Sequence, residues 1–240
     1  MTDIDLYTQT TALYETLQQK RPDYVGARKV LLELALKFLK DKAPLTIADF
    51  CCGTGNNTHL IADRIALHQA TLIDINKEFL EIATKSNIRA ESVVPIQSDI
   101  LKVSLRSEHD AIISMFAYHH VPDEDKEKYI EVSKDALKIG GVLLLGEIYS
   151  PDKATTLAYY DYLLKNIPQN SKSSELEKFI MQTANSDRFE YKVSREFTHQ
   201  QLISAGFVLR DGIKVWPLAT DTTFPEDVGT FVEVWELVKR

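Results

Sequence analysis

From Thr46 onward the chain alternates short apolar runs with amphipathic stretches, and this alternation restricts the fold more than any other feature of its 240 residues. Thr46–Cys51, Ala70–Ile75, Val93–Gln97, Asp110–Phe116 and Val142–Glu147 read as strands. Asn57–Ala66, Lys77–Ser86 and Asp123–Lys138 carry apolar residues at helical spacing. Strands that alternate with helices in this way call for a parallel sheet with right-handed crossovers. The last of these helices has acids in its first turn and a lysine at its end. Gly140 follows, which predicts a glycine C-cap.

The flanks differ. Leu6, Thr10, Leu13, Tyr14 and Leu17, then Val30, Leu31, Leu34, Ala35, Phe38 and Leu39, predict two helices before Pro44. Residues 150–195 are polar, aromatic and helical in pattern. Thr198-His199-Gln200-Gln201 has capping-box spacing and predicts a helix ending near Gly206. Phe207–Val215 and Gly229–Val238 read as closing strands. The expected organisation is one α/β domain over 1–240: an N-terminal helical cap (1–43), a ligand-binding core (46–149), a helical insertion (150–196), and a final helix with a strand pair (197–240).

The formal net charge is −7 and there is no long Lys/Arg run, which argues against a nucleic-acid partner held through its phosphates. No apolar run approaches the roughly 20 residues of a membrane helix. The first residues lack a basic segment leading into an apolar one, so a cytoplasmic protein is expected. Cys51 and Cys52 are adjacent, a poor geometry for a disulfide, and with no further cysteines a poor zinc site; no metal is expected. The oligomeric state stays open, a dimer included.

The chemistry concentrates in Ala48-Asp49-Phe50-Cys51-Cys52-Gly53-Thr54-Gly55-Asn56-Asn57-Thr58, a strand running through a Gly-x-Gly turn into a helix. The third glycine of a dinucleotide fingerprint is replaced by Thr58. Asp49, inside the strand end, would repel a pyrophosphate and hold an ammonium group. Asp74, at the next strand tip, is placed to accept ribose hydroxyls. Asp99, after the third strand, suits an adenine amine. An amine, a ribose diol and an adenine together describe S-adenosylmethionine (SAM).

These pieces, with Leu72-Ile73-Asp74-Ile75, Ser98-Asp99-Ile100, Asp110–Ala117 and Leu137-Lys138-Ile139-Gly140-Gly141, resemble the class I SAM-dependent methyltransferase family over about residues 46–148. The resemblance implies a doubly wound, seven-stranded, mostly parallel sheet with helices on both faces and one antiparallel strand. It implies SAM as cofactor and a site lined by Asp49, Cys51, Gly53, Gly55, Asp74, Ile75, Asp99, Ile100 and Phe116. Cys51 and Cys52 depart from the small or acidic residues common before the glycines.

The expected activity is methyl transfer to a small organic molecule. His119 and His120, after the fourth strand, are candidates for a general base. Tyr14, Tyr24, Arg28, Glu147 and Tyr149 are candidates for acceptor contact, with Tyr7, Tyr159, Tyr160 and Tyr162 as possible lid rings and Arg195 as a second cation. Outside the core, Arg21-Pro22-Asp23-Tyr24 and the insertion are similar to carboxy-SAM synthases of tRNA modification, which convert the cofactor instead. A SAM-binding protein without catalysis is a further alternative. A dehydrogenase is disfavoured by Asp49 and the missing glycine.

Overall fold

The computed structural model describes residues 13–186 and 190–239. The expectations placed on Leu6, Tyr7 and Thr10 lie outside the described residues. Among those described, seven strands form one sheet in the order β3-β2-β1-β4-β5-β7-β6. The strands are β1 Leu45–Phe50, β2 Leu67–Asp74, β3 Ala90–Gln97, β4 His109–Met115, β5 Leu137–Tyr149, β6 Phe207–Trp216 and β7 Gly229–Leu237. β7 runs antiparallel to both β5 and β6, and the remaining pairs are parallel. The order reverses between β1 and β4, the switch point at whose carboxyl edge open α/β sheets bind ligands.

Both faces of the sheet are covered, which is why the central strands are apolar almost throughout. On one face Ala27, Leu31, Leu34 and Ala35 of α1 (Pro22–Leu39) pack with Ile61 of α2 (Asn56–Ala62) and Leu80 of α3 (Lys77–Lys85) over Ile47, Leu72, Ile113 and Leu144. On the other, Tyr129, Ile130 and Val132 of α4 (Lys126–Ala136) and Leu202 of α7 (Arg195–Ser204) cover Phe50, Ile112, Leu143 and Trp235. Each buried aliphatic side chain contributes about 1.5–3 kcal/mol. A third cluster joins Leu17 of the helical segment 13–18 to Tyr159, Tyr160 and Leu163 of α5 (Lys153–Asn166) and Phe179 and Ile180 of α6 (Ser174–Asn185).

Helix starts follow the capping rule. The Asn76 side chain accepts from the Glu78 and Phe79 amides, and Ser173 does the same for Leu176. Two sequence expectations are corrected. α7 is capped by Ser194, whose hydroxyl accepts from Phe197 N–H; Thr198 lies buried inside the helix, so the apparent box is in the wrong register. The helix before β5 ends at Ala136, and Gly140 belongs to β5, where its φ of 82° allows the register shift opposite His109 and Ala111.

Candidate functional site

The site grows from the carboxyl tips of β2, β1, β4 and β5, neighbours in the sheet. Two non-glycine residues there adopt left-handed backbone: Cys51 after β1 (φ 53°) and Phe116 after β4 (φ 56°). Such conformations cost energy and cluster where structure is set by function. Between the strands, Gly53 also has φ 53°, and a Cβ on it would meet nothing within 4 Å. An open lane therefore runs along the backbone of the turn. Gly55 (φ 75°) lies close against Ala83, where a Cβ would stand 2.9 Å from the alanine methyl.

Three acids surround this turn. Asp49 is buried; its Oδ2 accepts from the Thr58 hydroxyl at 2.6 Å, while its Oδ1 has no partner. Burial pushes the Asp49 carboxyl up to about 7, opposed by the Thr58 hydrogen bond and assisted by the charge of Asp74. Asp74 accepts from Gly53 N–H and from Asn76 N–H, each at 2.8 Å, tying the β2 tip to the glycine turn. Its carboxyl is also raised, by burial first. Asp99 caps the short turn Ile100–Lys102 through the Leu101 amide and stays partly exposed beside Lys102. The Cys51 thiol is raised by burial and then by Asp74, Asp49, Asp99 and Glu147, so four carboxylates share its surroundings. Ile75 projects half-exposed past the β2 tip, whereas Ile100 is packed into the core.

A second, nearly filled cavity of about 20 Å³, little larger than one water, lies beyond Phe116. It is lined by Tyr14, Gln18, Arg21, Tyr24, Phe116, His119, His120, Ile148, Tyr160, Phe179, Thr183 and Glu190. Tyr24 stacks on Phe116 with centroids 5.7 Å apart. Glu147, buried at the end of β5, accepts from the Ala117 and Tyr118 amides at Oε1 and from His119 Nδ1, 2.6 Å away, at Oε2. His119 is held well below its ordinary pKa by burial, then by Lys192, Lys126 and Arg21, so it is a neutral ring. A neutral ring that donates Nδ1–H to Glu147 leaves Nε2 as a bare acceptor. Burial raises Glu147, against the pull of His120, Lys126 and Lys192.

The structure thus brings Tyr14, Tyr24, Phe116, His119 and His120 together, with Glu147 behind them. It does not bring in Tyr149 or Arg28. The Tyr149 hydroxyl donates to Glu233, which also accepts from Arg195, His199 and the Trp235 indole. That buried network lies at β7, so Arg195 too is committed elsewhere. Arg28 donates to Asn56 O at the glycine turn and keeps a buried Nε without a partner. Tyr159 is buried against Asp23 and Thr230, and Tyr162 donates to Asp221; of the α5 tyrosines, Tyr160 lines the chamber.

Sequence reasoning missed Glu190 and Lys192, an ion pair with both side chains almost wholly buried. The segment is docked by Tyr191 N–H on His119 O and by Ser150 N–H on Val193 O. The signal was present in Phe189-Glu190-Tyr191-Lys192-Val193, whose period-two alternation places Glu190 and Lys192 on one side. His119, His120 and Glu190 bring ligand atoms within 4.8 Å of one another, a spacing that would admit a metal ion. Lys192 already stands against Glu190 and supplies its countercharge.

Comparison with known proteins places this architecture. A family profile described as "Methyltransferase domain" matches residues 47–141, the stretch that builds β1 through the glycine-bearing start of β5. Over that stretch the chain is similar to class I SAM-dependent methyltransferases, whose fold its seven-stranded sheet shares. The chain is 26% identical over 156 residues to an uncharacterised methyltransferase of Geobacillus thermodenitrificans, covering 62% of this chain and 68% of that one. A second, from Bacillus cytotoxicus, is 28% identical over 123 residues, and there the match spans about half of each protein, 50% and 55%. Among solved structures, the methyltransferase complexed with the Trm112 activator of Haloferax volcanii matches with a TM-score of 0.66 at 15% identity, over 100% of this chain and 99% of that one. The 1,6-didemethyltoxoflavin-N1-methyltransferase of Burkholderia thailandensis, solved with its substrate and S-adenosylhomocysteine (SAH), matches with a TM-score of 0.58 at 13% identity, over 89% and 79%. The unpartnered Asp49 oxygen and the open lane beside Gly53 fit the cofactor of this family, SAM. No helix among the described residues is long and apolar enough to cross a membrane.

Proposed function

We propose that this methyltransferase acts on a nitrogen or oxygen of a small, flat organic molecule that enters the aromatic cavity as its lining rings part, with His119 as general base. The observation that carries the reading is the Glu147–His119 pair, 2.6 Å apart: an ionised Glu147 takes Nδ1–H and leaves Nε2 free of a proton, and His119 lines the cavity. Tyr14, Tyr24, Phe116, Tyr160 and Phe179 supply rings for a planar acceptor. The Burkholderia neighbour is named as an N-methyltransferase of a small molecule, which is consistent with this reading.

On the cofactor side, Asp49 Oδ1 would hold the ammonium of SAM and Arg28 Nε its carboxylate; Asp74 would take the ribose hydroxyls, and Ile75 and Asp99 the adenine. SAM supplies an electrophilic methyl group. His119 Nε2 takes the proton that the acceptor loses, and Glu147 stabilises the imidazolium so formed. The enclosing rings exclude water and hold the acceptor in line.

The reading is tested by measuring SAH release from SAM with a panel of phenols, heteroaromatic N–H compounds and aliphatic amines. Turnover confined to the flat N–H and O–H compounds is expected. Turnover with the aliphatic amines alone would overturn the reading, and a carboxylated cofactor found by mass spectrometry in the purified protein would replace it with cofactor conversion. Asp74→Ala is expected to weaken SAM by about 1–3 kcal/mol, because ribose hydroxyls lose a charged acceptor. Unchanged affinity in calorimetry would remove Asp74 from the site.

A further inference from the structure

The helical segment 13–18 reaches the glycine turn through one side chain. Glu15 Oε1 accepts from the Thr54 hydroxyl at 2.5 Å, and Thr54 itself is buried. Glu15 Oε2 is also buried, with no hydrogen-bond partner. Tyr14, the neighbouring residue, packs against Phe79 of α3 at 5.1 Å and against Phe179 of α6 at 6.1 Å, which fixes the segment between the sheet edge and the insertion. Thr54 is the residue between the two glycines, so the hydrogen bond anchors the Glu15 carboxylate at the glycine turn.

Two buried carboxylate oxygens without partners therefore flank the turn: Asp49 Oδ1 from the strand and Glu15 Oε2 from the helical segment above it. A buried acceptor with nothing to accept from marks a place where a ligand completes the structure. SAM carries two positive charges, its ammonium and its sulfonium. Methyl transfer removes the sulfonium charge and leaves the ammonium in place. A carboxylate near the sulfonium therefore favours the substrate form of the cofactor over the product form, and one near the ammonium does not distinguish them.

We infer that Glu15 is a cofactor-discriminating residue, whose carboxylate faces the sulfonium and makes the enzyme bind SAM in preference to SAH. The inference rests on the SAM site described above. The hydrogen bond from Thr54 aims the carboxylate, and the Tyr14 contacts hold the segment that carries it. After transfer the same carboxylate faces a neutral thioether and no longer retains the product, which speeds its release.

The test is calorimetric titration of the full-length wild type and of Glu15→Gln with SAM and, separately, with SAH. Glutamine can still accept from Thr54, so the segment keeps its anchor while the charge is lost; equal melting temperatures in the ligand-free proteins check this. Glu15→Gln is expected to weaken SAM about tenfold, the scale of one opposite-charge contact in a partly screened site, and to leave SAH within about twofold. Thr54→Val, which removes the aiming hydroxyl and keeps the charge, is expected to fall between the two. Equal losses for SAM and SAH would overturn the inference, as the carboxylate would then meet the ammonium or act only through the fold. No loss for either would also overturn it. A wild type that binds neither would instead count against the SAM site as a whole.

Discussion

Glu147→Gln is expected to lower turnover by about 10²- to 10⁴-fold while leaving SAM affinity and the melting temperature close to those of the wild type. The reason is the tautomer. Glu147 Oε1 is held by two backbone N–H donors, from Ala117 and Tyr118, so the oxygen of a glutamine takes that place and its NH2 faces His119. An NH2 facing Nδ1 requires that nitrogen to be bare, which moves the ring proton to Nε2 and removes the base from the chamber. The reverse amide orientation would set NH2 against two N–H groups and is disfavoured. His119→Ala is expected to lower turnover comparably, because the base itself is gone. SAH release with the best acceptor of the panel checks both; variants that keep full turnover would retire His119 as the base.

The same pair predicts the acid limb of the pH profile. Burial raises the Glu147 carboxyl to about 7, and once protonated it too can present a donor to Nδ1 and shift the ring proton to Nε2. Turnover should therefore fall as the pH drops below about 7. His119, held well below its ordinary value, would place that limb much lower if it alone were responsible. A limb near 7 that disappears in Glu147→Gln identifies the carboxylate.

The strands, their tips and the glycine turn were readable in the sequence, because apolar runs end where the acids and glycines begin. Asp49 could be singled out because a charge within an apolar strand needs a partner. Glu147 could be placed at the right edge, but its role could not: it depends on β4 and β5 lying side by side, 28 residues apart in sequence from His119. Tyr149 was misplaced by the same logic. It shares a face of β5 with Glu147 by period two, yet its hydroxyl is drawn to Glu233 of the antiparallel strand β7. Glu15 carried no sequence signal, since a single acid in an amphipathic helix is normally solvated; only its hydrogen bond with Thr54 and its buried second oxygen distinguish it. The shift of the α7 cap from Thr198 to Ser194 has a similar cause, because both residues satisfy the local pattern and burial of Thr198 decides between them.

Asp49→Asn is expected to weaken SAM by about 10- to 100-fold at pH 8 and to remove most of the pH dependence of binding between 6 and 8. In the ligand-free protein burial raises the Asp49 carboxyl to about 7, so its titration falls in the neutral range. A cationic ligand beside Oδ1 favours the carboxylate, so binding should release a proton, and affinity should fall as the pH is lowered through 7. Calorimetry in buffers of different ionisation enthalpy counts that proton. The effect on stability has the opposite direction. The folded pKa lies above the unfolded value of about 4, so the folded state binds more protons between them, and the ligand-free protein loses stability as the pH rises from about 4 through 7. The loss from this one group is at most about 4 kcal/mol. In Asp49→Asn that slope should flatten, and in wild type saturated with SAM it should largely vanish. A wild-type melting temperature that instead rises between pH 5 and 8, with no proton released on binding, would show that Asp49 is a satisfied structural carboxylate, and the ammonium of the cofactor would have to be held elsewhere.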